Sequence, residues 1–426
     1  MDSGLSDYRQ VIATLFARTG GTSKYGLART LGLLELLGNP HLRLRTFHVA
    51  GTNGKGSVVA SLYALLRDKG MHVGRYTSPH LIDFRERIVV DDQQISEAYV
   101  VAFLSEWGLK AEKIGATFFE ITTALAFDYF ARKGVDVAVI EAGLGGRLDA
   151  TNVITPLSAG ITSISIDHSE ILGETAAEIA REKAGIFKAG VPSVIGPMDT
   201  EARVAIYGTA SEHGADAVVD ATRLYSTHDV SVSENGTAFF IEHAGKRASL
   251  TTGLIGVPQA ANSSVALAML WAAGSPYSTP IEDAAKVLPL VTLAGRFQRL
   301  GPYILDVAHN PDGMRALART LHEVNPPRPL AAVVGILADK NWREMLDVLS
   351  EVVDEVILTM PGSAPTDRAW KAADAQAYAE QRGIHARSEV DLARALELAR
   401  SIAATVLVTG SFHTVGDAMQ ILGFEP

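Results

Sequence analysis

The stretch FHVAGTNGKGS, residues 47–57, decides the fold of this chain because it joins a buried strand to a helix through a glycine-rich loop. Apolar residues around Phe47 form the end of the strand, and apolar residues from Val58 to Leu66 then recur at helical spacing. Glycines allow backbone N–H groups to close around an anion, a helix N-terminus adds a positive partial charge, and Lys55 supplies a full one. The stretch therefore predicts a loop that binds a triphosphate.

The spacing of this loop differs from the common G-x-x-x-x-G-K-[ST] pattern. Two residues, not four, separate Gly51 from Gly54, and Gly56 follows Lys55 where a metal-binding hydroxyl normally stands. The alternative interpretation is a glycine-rich turn that binds nothing, but turn chemistry alone does not require the lysine. The predicted nucleotide-binding residues are Gly51, Thr52, Asn53, Gly54, Lys55, Gly56 and Ser57.

Composition limits the classes of function. The 426 residues are enough for two or three domains. A net charge of −10 argues against a general binder of nucleic acid or of anionic membranes, so local clusters of positive charge must handle negative substrates. The absence of cysteine excludes disulfides and thiolate chemistry. We find no signal peptide and no apolar span of membrane length, and we expect a cytoplasmic protein.

The order of predicted elements indicates an α/β fold. Residues 5–38 are predicted to be helical with an interruption at 24–27, and strands alternate with helices through residue 219, which favours a doubly wound, mostly parallel sheet of P-loop type. Alternation over residues 228–251 around Asn235-Gly236 predicts a hairpin, expected as an antiparallel edge ribbon. A smaller, Rossmann-like α/β domain follows, so we predict domains at 1–296 and 297–426. The strands expected beyond the first loop are 73–77, 135–140, 159–166, 303–307, 330–336, 355–359, 386–388 and 405–409.

Polar residues stand at several predicted strand ends, where ligands bind in open α/β sheets. Ser78 follows the second strand, Glu141 ends a buried strand, and Asp167-His168 follow another. Glu141 suits a Mg²⁺ ligand or a base, and a helix-capping acid is the alternative. Taken alone, His168 is more often a hydrogen-bonded core residue, and Lys183 is normally a surface charge.

The second half offers two further strand ends. Residues 305–311 (LDVAHNP) run from a strand into a helix whose first residue is Pro311, which places Asp306 and His309 where they can contact a ribose, a phosphate or a second substrate. Residues 409–413 end the last strand in the same way. The two domains therefore predict a cleft in which two substrates meet. The pair Gly143-x-Gly145 is a weak signal for a dinucleotide site, because the full motif is absent.

Together these motifs resemble the folylpolyglutamate synthase/dihydrofolate synthase branch of the Mur ligase superfamily over nearly the whole chain. The blocks that carry the resemblance are KYGLAR (24–29), HVAGTNGKGS (48–57), TSPHL (77–81), RERI (85–88), TFFEITTALAF (117–127), EAGLGGRLDATN (141–152), IDHSEILGET (166–175), EKAGIFK (182–188), GRF (295–297), LDVAHNPDG (305–313), ADKN (338–341) and TGSFHTVGD (409–417).

The resemblance implies an ATP- and Mg²⁺-dependent ligase that forms an acyl phosphate, which the amine of an amino acid then attacks. It implies that Ser78, Glu141 and His168 hold two magnesium ions and that Lys183 is carbamylated, with K⁺ as a further candidate cation. It assigns catalytic roles to Lys55, Lys183, Asp306 and His309, and nucleotide contacts to Asn262, Arg296, Asp306 and His309. The implied substrate residues are Lys24, Tyr25, Gly26, Leu27, Pro79, Thr117, Arg147, Leu148, Asp149 and Ala150 for the acceptor, with Arg87 and Ser411 for the incoming glutamate.

Two positions depart from the family pattern. Pro258-Gln259 stands where the family usually has His-Gln, and Ala28 stands where it often has glutamate. Both lie beside predicted site residues and leave those residues in place.

The leading hypothesis is an enzyme that adds L-glutamate to dihydropteroate and to the γ-carboxyl group of folates. The alternatives are a monofunctional folylpolyglutamate synthase, another Mur-type amino-acid ligase, and a non-catalytic nucleotide-binding switch. A cell-wall ligase would normally need an extra N-terminal domain, and only 46 residues precede Phe47. The expected partners are dihydropteroate, folates, L-glutamate and ATP, with no nucleic acid and no membrane, and we expect a monomer.

Overall fold

The structure is a computed structural model that describes residues 3–16 and 26–424. Within these residues the strands form three sheets: a mostly parallel sheet of eight strands, an antiparallel sheet of three and a mostly parallel sheet of six. Apolar clusters lie on both faces of the two larger sheets, beneath the helices. This layered arrangement is the α/β fold that the sequence predicts.

The first sheet is doubly wound around the strand that precedes the glycine loop. Its strands follow the order β4-β3-β2-β5-β1-β6-β7-β8, and all are parallel except β3 and β4, which form a hairpin at one edge. The strands are β1 (Thr46–Ala50), β2 (Val73–Tyr76), β3 (Ile88–Val90), β4 (Gln93–Gln94), β5 (Val137–Glu141), β6 (Ser158–Ile161), β7 (Ser193–Ile195) and β8 (Val218–Asp220).

The helices of this part begin where the sequence provides caps. Thr117 and Glu120 form a capping box, and a second one is formed by Thr175 and Glu178. The helices are α1 (Ser3–Phe16), α2 (Ala28–Leu36), α3 (Lys55–Asp68), α4 (Glu97–Lys113), α5 (Phe118–Lys133), α6 (Ser169–Leu172), α7 (Ala176–Ala184), α8 (Thr200–Glu212), α9 (Ala221–Leu224), α10 (Gln259–Ala273) and α11 (Ile281–Val287).

Two local predictions need correction. The strand expected over 159–166 ends at Ile161, because residues 162–165 turn to hold the glycine loop. The hairpin around Asn235-Gly236 is present, but the predicted edge ribbon is wrong. Its strands β9 (Ser226–Ser233) and β10 (Gly236–His243) pair with β11 (Lys246–Thr252) in a separate sheet, which packs on α10 through buried side chains such as Phe239.

The last sheet begins after residue 297 and has the order β12-β13-β17-β14-β15-β16, with β12 antiparallel. Pro311 is the first residue of the helix after β13, as predicted, and Asn310 caps it. The strands are β12 (Gln298–Leu300), β13 (Tyr303–Leu305), β14 (Leu330–Val334), β15 (Glu355–Leu358), β16 (Ala386–Ser388) and β17 (Thr405–Thr409). The helices are α12 (Pro311–Val324), α13 (Trp342–Ser350), α14 (Ala372–Arg382), α15 (Leu392–Ile402) and α16 (Phe412–Ile421).

This topology brings the chemically interesting segments together. The neighbouring strands β2, β5 and β1 are parallel, so the residues after them emerge at one edge of the first sheet. β13 and β17 are also parallel neighbours, and the residues after them face that edge from the six-stranded sheet, called the second sheet below. In the part of the chain that the structure describes, no helix is both long enough and apolar enough to cross a membrane.

Candidate active site

The glycine loop after β1 is held in a conformation that only glycine permits at two positions. Gly51 has φ 147° and Gly54 has φ 87°. A Cβ atom on Gly51 would lie 1.9 Å from Thr162 Oγ1, and one on Gly54 would lie 2.5 Å from Asn262 Oδ1. Thr52 N–H donates to Ser163 O at 2.8 Å. The loop is therefore fixed by the segment after β6, and Gly54 leads directly into the N-terminus of α3.

Lys55 is the first residue of α3 and is turned back over this loop. Its Nζ donates to Gly51 O at 3.0 Å and to Thr52 O at 3.2 Å. Burial lowers the pKa of the ammonium group, and the carboxylate of Glu141 opposes that effect. The geometry places a partly desolvated positive charge next to the helix N-terminus, where an anionic ligand is favoured.

Lys183 is a buried lysine on α7 and not a surface charge. Its side-chain Nζ donates to Gly51 O at 3.1 Å, so it shares this acceptor with Lys55. Burial, followed by repulsion from Lys55, lowers the pKa of Lys183 to about 7. A substantial fraction of this amine is consequently uncharged, and thus nucleophilic, near neutral pH.

Ser78 and Glu141 lie at the ends of the neighbouring strands β2 and β5. The Ser78 N–H donates to Glu141 Oε2 at 3.4 Å. Glu141 is buried, and burial raises the pKa of its carboxyl group while Lys55 lowers it. The position confirms that Glu141 ends its strand, and its carboxylate is not part of a helix cap.

Asp167 and His168 reach the site from the segment after β6, and a lysine of the second sheet meets them there. Lys340 Nζ lies 2.5 Å from Asp167 Oδ1 and 3.1 Å from His168 Nε2. Burial alone would raise the pKa of Asp167, but the Lys340 ammonium group, with the two nearby histidines, holds it well below its usual range. Burial lowers the pKa of His168 to about 4, so its ring is neutral.

The ADKN block (338–341) carries part of the family resemblance, but the sequence patterns assign no role to Lys340. The ion pair joins residues 173 positions apart, and no local pattern signals such a contact. The only usable signal was that Lys340 follows the end of β14 by six residues, at the same edge as the other strand ends.

Asp306, His309 and Asn310 line the opposite wall. The Asp306 carboxylate accepts hydrogen bonds from Phe297 N and Ala308 N, both at 2.9 Å, and burial raises its pKa. His309 Nδ1 lies 2.9 Å from Val307 O, which leaves Nε2 facing the cleft, and burial lowers the pKa of the ring to about 4. These residues are thus oriented by their own strand-to-helix turn.

The glycine loop and the second sheet are joined directly through two amide side chains. Asn53 Nδ2 donates to Asn310 Oδ1 at 3.3 Å, and Asn310 Nδ2 donates to Asn53 Oδ1 at 3.1 Å. Asn310 Nδ2 also lies 3.0 Å from Asp167 Oδ2. The two halves of the molecule therefore meet at the candidate site itself.

Two cavities are each lined by three or more residues of the loop. One, of about 260 Å³, lies between the two sheets and is lined by Gly51, Thr52, Asn53, Gly54, Lys55, Gly56, Ser78, Pro79, Glu141, His168, Lys183, Arg296, His309 and Ser411 among others. The second, of about 250 Å³, lies behind Gly54 and is lined by Asn53, Ser57, Asn262, Arg296, Asp306 and His309 among others. All the predicted nucleotide and metal residues border one or both cavities.

The donor set was compared with the needs of a divalent metal ion. Among the described residues, no group of three or more His, Cys, Asp and Glu side chains is placed to hold a metal. Ser78, Glu141 and His168 supply two oxygens and one nitrogen at the first cavity, whereas Lys183 as an ammonium group is no ligand. The set fits Mg²⁺ when substrate phosphate or a modified Lys183 supplies further oxygen.

Most of the predicted acceptor-binding residues lie outside both cavities. Arg87, which is predicted to contact the incoming glutamate, also lies outside both cavities; it is buried, with Nε 2.7 Å from His80 Nδ1 and the guanidinium carbon 5.2 Å from the Phe118 ring centre. Thr117 caps α5. Gly26, Leu27, Leu148 and Ala150 are not part of either lining, and Lys24 and Tyr25 lie outside the described residues.

Arg147 and Asp149 make contacts within the protein. Arg147 is exposed and forms an ion pair with Glu182 at 2.8 Å. Asp149 is buried and accepts from Leu144 N at 2.8 Å and from Thr151 N at 3.0 Å. Because Asp149 occupies the backbone N–H of Leu144, it holds the Gly143–Gly145 turn closed, and the weak dinucleotide signal has no geometric support.

Comparisons with known proteins match most of the chain. The Mur ligase middle domain matches residues 49–270, and the Mur ligase glutamate ligase domain matches residues 295–412. The dihydrofolate synthase/folylpolyglutamate synthase of Bacillus subtilis is 35% identical over 417 residues, covering 92% of this chain and 94% of that protein. A probable bifunctional folylpolyglutamate synthase/dihydropteroate synthase of Haloferax volcanii is 34% identical over 97% of the chain, which spans 50% of that longer relative.

Solved structures are similar over the full length. The folylpolyglutamate synthase of Mycobacterium tuberculosis complexed with ADP has a TM-score of 0.90 and 34% identity over 100% of both chains. The Escherichia coli FolC in complex with DHPP and ADP has a TM-score of 0.85 and 33% identity over 97% of both. A bifunctional folylpolyglutamate synthase/dihydrofolate synthase with Mn, AMPPNP and L-glutamate bound has a TM-score of 0.83 and 34% identity over 97% of this chain and 98% of that one.

Proposed function

The chain belongs to the folylpolyglutamate synthase/dihydrofolate synthase branch of the Mur ligase superfamily, and on this premise we propose that it adds L-glutamate to dihydropteroate and to the γ-carboxyl group of folates at the expense of ATP. The observation that carries the proposal is the first cavity, in which a phosphate-type loop, a carboxylate edge and strand ends of the second sheet face one another. Such a cleft suits a reaction between two substrates activated by a third.

In the first step, an oxygen of the acceptor carboxylate attacks the γ-phosphorus of ATP, ADP leaves, and an acyl phosphate forms. Lys55 and the N–H groups at the start of α3 would bind the phosphates and stabilise the charge on the transferring group. Asn262, Arg296 and Asp306 border the cavity proposed for the nucleoside. Most of the catalysis would come from positioning and electrostatics.

Ser78, Glu141 and His168 would hold divalent metal, and the ion would neutralise part of the charge on the phosphates. Solved relatives are complexed with ADP in one case and with Mn and AMPPNP in another, which supports a nucleotide and a divalent metal here. Glu141 contributes the carboxylate oxygen that Mg²⁺ prefers, and burial keeps competing water away from it.

In the second step, the amine nitrogen of glutamate attacks the acyl carbon, inorganic phosphate leaves, and the nitrogen loses a proton as the amide forms. His309 presents a neutral Nε2 toward the cleft, and Ser411 lies on the same wall. These groups would orient the amino acid against the acyl phosphate.

A product assay tests the function. The protein is incubated with ATP, Mg²⁺ and L-glutamate, and with dihydropteroate or tetrahydrofolate offered separately, and both phosphate and glutamylated products are measured. We expect phosphate release that requires an acceptor and glutamate together. Product formed from tetrahydrofolate but not from dihydropteroate would identify the monofunctional alternative. ATP binding without turnover would identify the nucleotide-binding switch.

We also propose that Lys183 carries a carbamate in the active enzyme. Its uncharged amine would attack CO₂, form an N–C bond and release a proton, which replaces a buried cation with anionic oxygen beside Ser78 and Glu141. The burial of Lys183 and its lowered pKa support this. Carbon-13-labelled bicarbonate should give a carbamate signal in wild type that is absent in Lys183→Ala. An identical spectrum for the two proteins would contradict the modification.

Several expectations accompany the proposal as predictions. They are a domain boundary between Arg296 and Phe297, a second magnesium site, a supporting role for K⁺, a monomer, a cytoplasmic location, and acceptor contacts at residues 24–27, Pro79, Thr117 and 147–150. Size-exclusion chromatography and metal titration of the purified protein test the monomer and the metal number.

A further inference from the structure

Arg75 is a mostly buried arginine that pairs with no carboxylate among the described residues. It lies in the middle of β2, paired with Val139 of β5 and Val89 of β3. Its Nε is buried and makes no hydrogen bond, and within the part of the chain that the structure describes the guanidinium group has neither a hydrogen bond nor an ion pair. Its specific contact is with the Tyr63 ring, whose centre is 5.2 Å away. A buried guanidinium group without an anion is costly, so this arrangement calls for a ligand.

The acidic residues around Arg75 have other partners. Glu86 accepts hydrogen bonds from the N–H groups of residues 81, 82 and 83, at 2.7 to 2.8 Å. Asp92 lies 3.7 Å from Arg67 Nε, and Glu141 belongs to the proposed metal edge. These carboxylates attract Arg75 from a distance. None of them pairs with it, and the charge stays available to an incoming anion.

A cavity of about 330 Å³ opens in front of Arg75. Its wall includes Arg75, Leu81, Val89 and Met419, and it shares Gly56, Ser78, Pro79, Glu141, Arg296 and Phe412 with the cavity at the glycine loop. The two cavities therefore adjoin one another at Ser78 and Glu141. An anion bound to Arg75 would lie beside the place where the acceptor carboxyl group must meet the γ-phosphate.

We propose that Arg75 binds the α-carboxylate of the terminal glutamate of a folate acceptor. This inference rests on the proposed function. Dihydropteroate has one carboxyl group, which is the one that reacts, whereas the terminal glutamate of a folate has a reacting γ-carboxyl group and an α-carboxylate that needs a partner. A guanidinium group matches a carboxylate through two parallel hydrogen bonds. Arg75 is thus a specificity residue for the folate reaction and not for the dihydropteroate reaction.

Steady-state kinetics of Arg75→Gln test the assignment with three variable substrates: tetrahydrofolate, dihydropteroate and L-glutamate. We expect the KM for tetrahydrofolate to rise about tenfold or more, the loss typical of one charge-assisted contact. The KM for dihydropteroate and the KM for glutamate should stay within about twofold. Arg85→Gln is the matched control, because Arg85 is also near the β2–β3 edge but pairs with Asp83 at 2.9 Å; all three of its KM values should stay near wild type.

A raised KM for glutamate would overturn the proposal, because Arg75 would then bind the incoming amino acid. Equal changes for both acceptors, or no change, would overturn it as well. If Arg75→Gln fails to fold, Arg75→Met, which keeps an unbranched apolar stem without the charge, takes its place. If wild type glutamylates neither acceptor, the proposed function fails by itself. Calorimetric binding of tetrahydrofolate and dihydropteroate to wild type and variant then still decides whether Arg75 discriminates between them.

Discussion

The loops that follow β1 and β5 lie side by side at one edge of the first sheet, and they carry opposite charge. The first loop leads into the N-terminus of α3 and brings in Lys55, the first residue of that helix. The second loop follows Glu141, the last residue of β5, and its Leu144 N–H donates a hydrogen bond to the carboxylate of Asp149. In both loops the glycines are required by close neighbours: a Cβ atom on Gly143 would lie 2.4 Å from the Phe119 ring, just as one on Gly54 would meet Asn262.

The difference shows that glycine spacing alone does not define a phosphate site. Both loops are rich in glycine for reasons of packing. The charged residue that shares the loop, and the availability of the N–H groups, decide whether an anion or a cation is favoured there. Lys183 lies between the two, since its Nζ contacts Gly51 O while its α7 backbone carbonyl packs against Gly146.

Lys183→Ala is expected to give the largest effect, because it removes the group that links the two loops. We expect kcat for ligation to fall by more than about a hundredfold, as for loss of one preorganised electrostatic group. Folding should be retained, because the change removes a buried charge and does not strand a partner. Product formation and thermal unfolding measure the two quantities. Lys188→Ala, at a nearby lysine that donates to Asn152 O, is the control. Wild-type activity in Lys183→Ala would refute its role.

Lys55→Ala tests the cationic loop. The loss of a charge-assisted contact to phosphate should raise the KM for ATP by roughly ten- to a hundredfold. The KM for glutamate should change little. Lys69→Ala, at the other end of α3, is the control and should behave as wild type. An ATP dependence unchanged by Lys55→Ala would mean that the first loop does not bind the triphosphate.

Glu141→Gln tests the anionic loop with little change in shape. Loss of one carboxylate should raise the Mg²⁺ concentration required for half-maximal rate by about tenfold. The rate measured across a magnesium titration is the readout. Glu355→Gln, which removes a partly exposed acid of the second sheet paired with Arg387, is the control. The assignment fails when both variants show the same metal requirement as wild type.

Asp149→Asn should give the smallest effect and sharpen the comparison. An asparagine cannot accept all the N–H groups that Asp149 now satisfies, so the free energy of unfolding should fall by about 1–3 kcal/mol. The KM for ATP should stay within about twofold, and denaturant unfolding with ATP kinetics provides the check. Unchanged stability together with a raised KM for the acceptor would instead support the substrate role that the family resemblance implies.

Sequence reasoning captured the elements with strong local patterns. The strand-to-helix transition at residues 47–57 and the strand that ends on Glu141 were predicted correctly, because buried strands and helix starts leave signals in neighbouring residues. The rule that parallel strands end at one edge predicts that Ser78, Glu141 and His168 lie together, and all three line the first cavity.

Non-local pairings account for what it missed. The sheet partner of residues 226–252 is set by packing on α10, which alternation cannot reveal. Lys340 forms an ion pair with Asp167 across the gap between the sheets. Arg75 is notable because its guanidinium group has no carboxylate partner among the described residues. Neither the Lys340–Asp167 contact nor the missing partner of Arg75 can be predicted from the adjacent sequence.

The reciprocal amide pair between Asn53 and Asn310 has a thermodynamic consequence. A rotation of the second sheet would break these two hydrogen bonds, so the conformation of the glycine loop depends on the position of the wall that carries His309 and Ser411. Occupancy on one side then changes affinity on the other by the same factor in both directions. Two side chains 257 positions apart therefore contribute to the free energy that couples the two halves of the molecule.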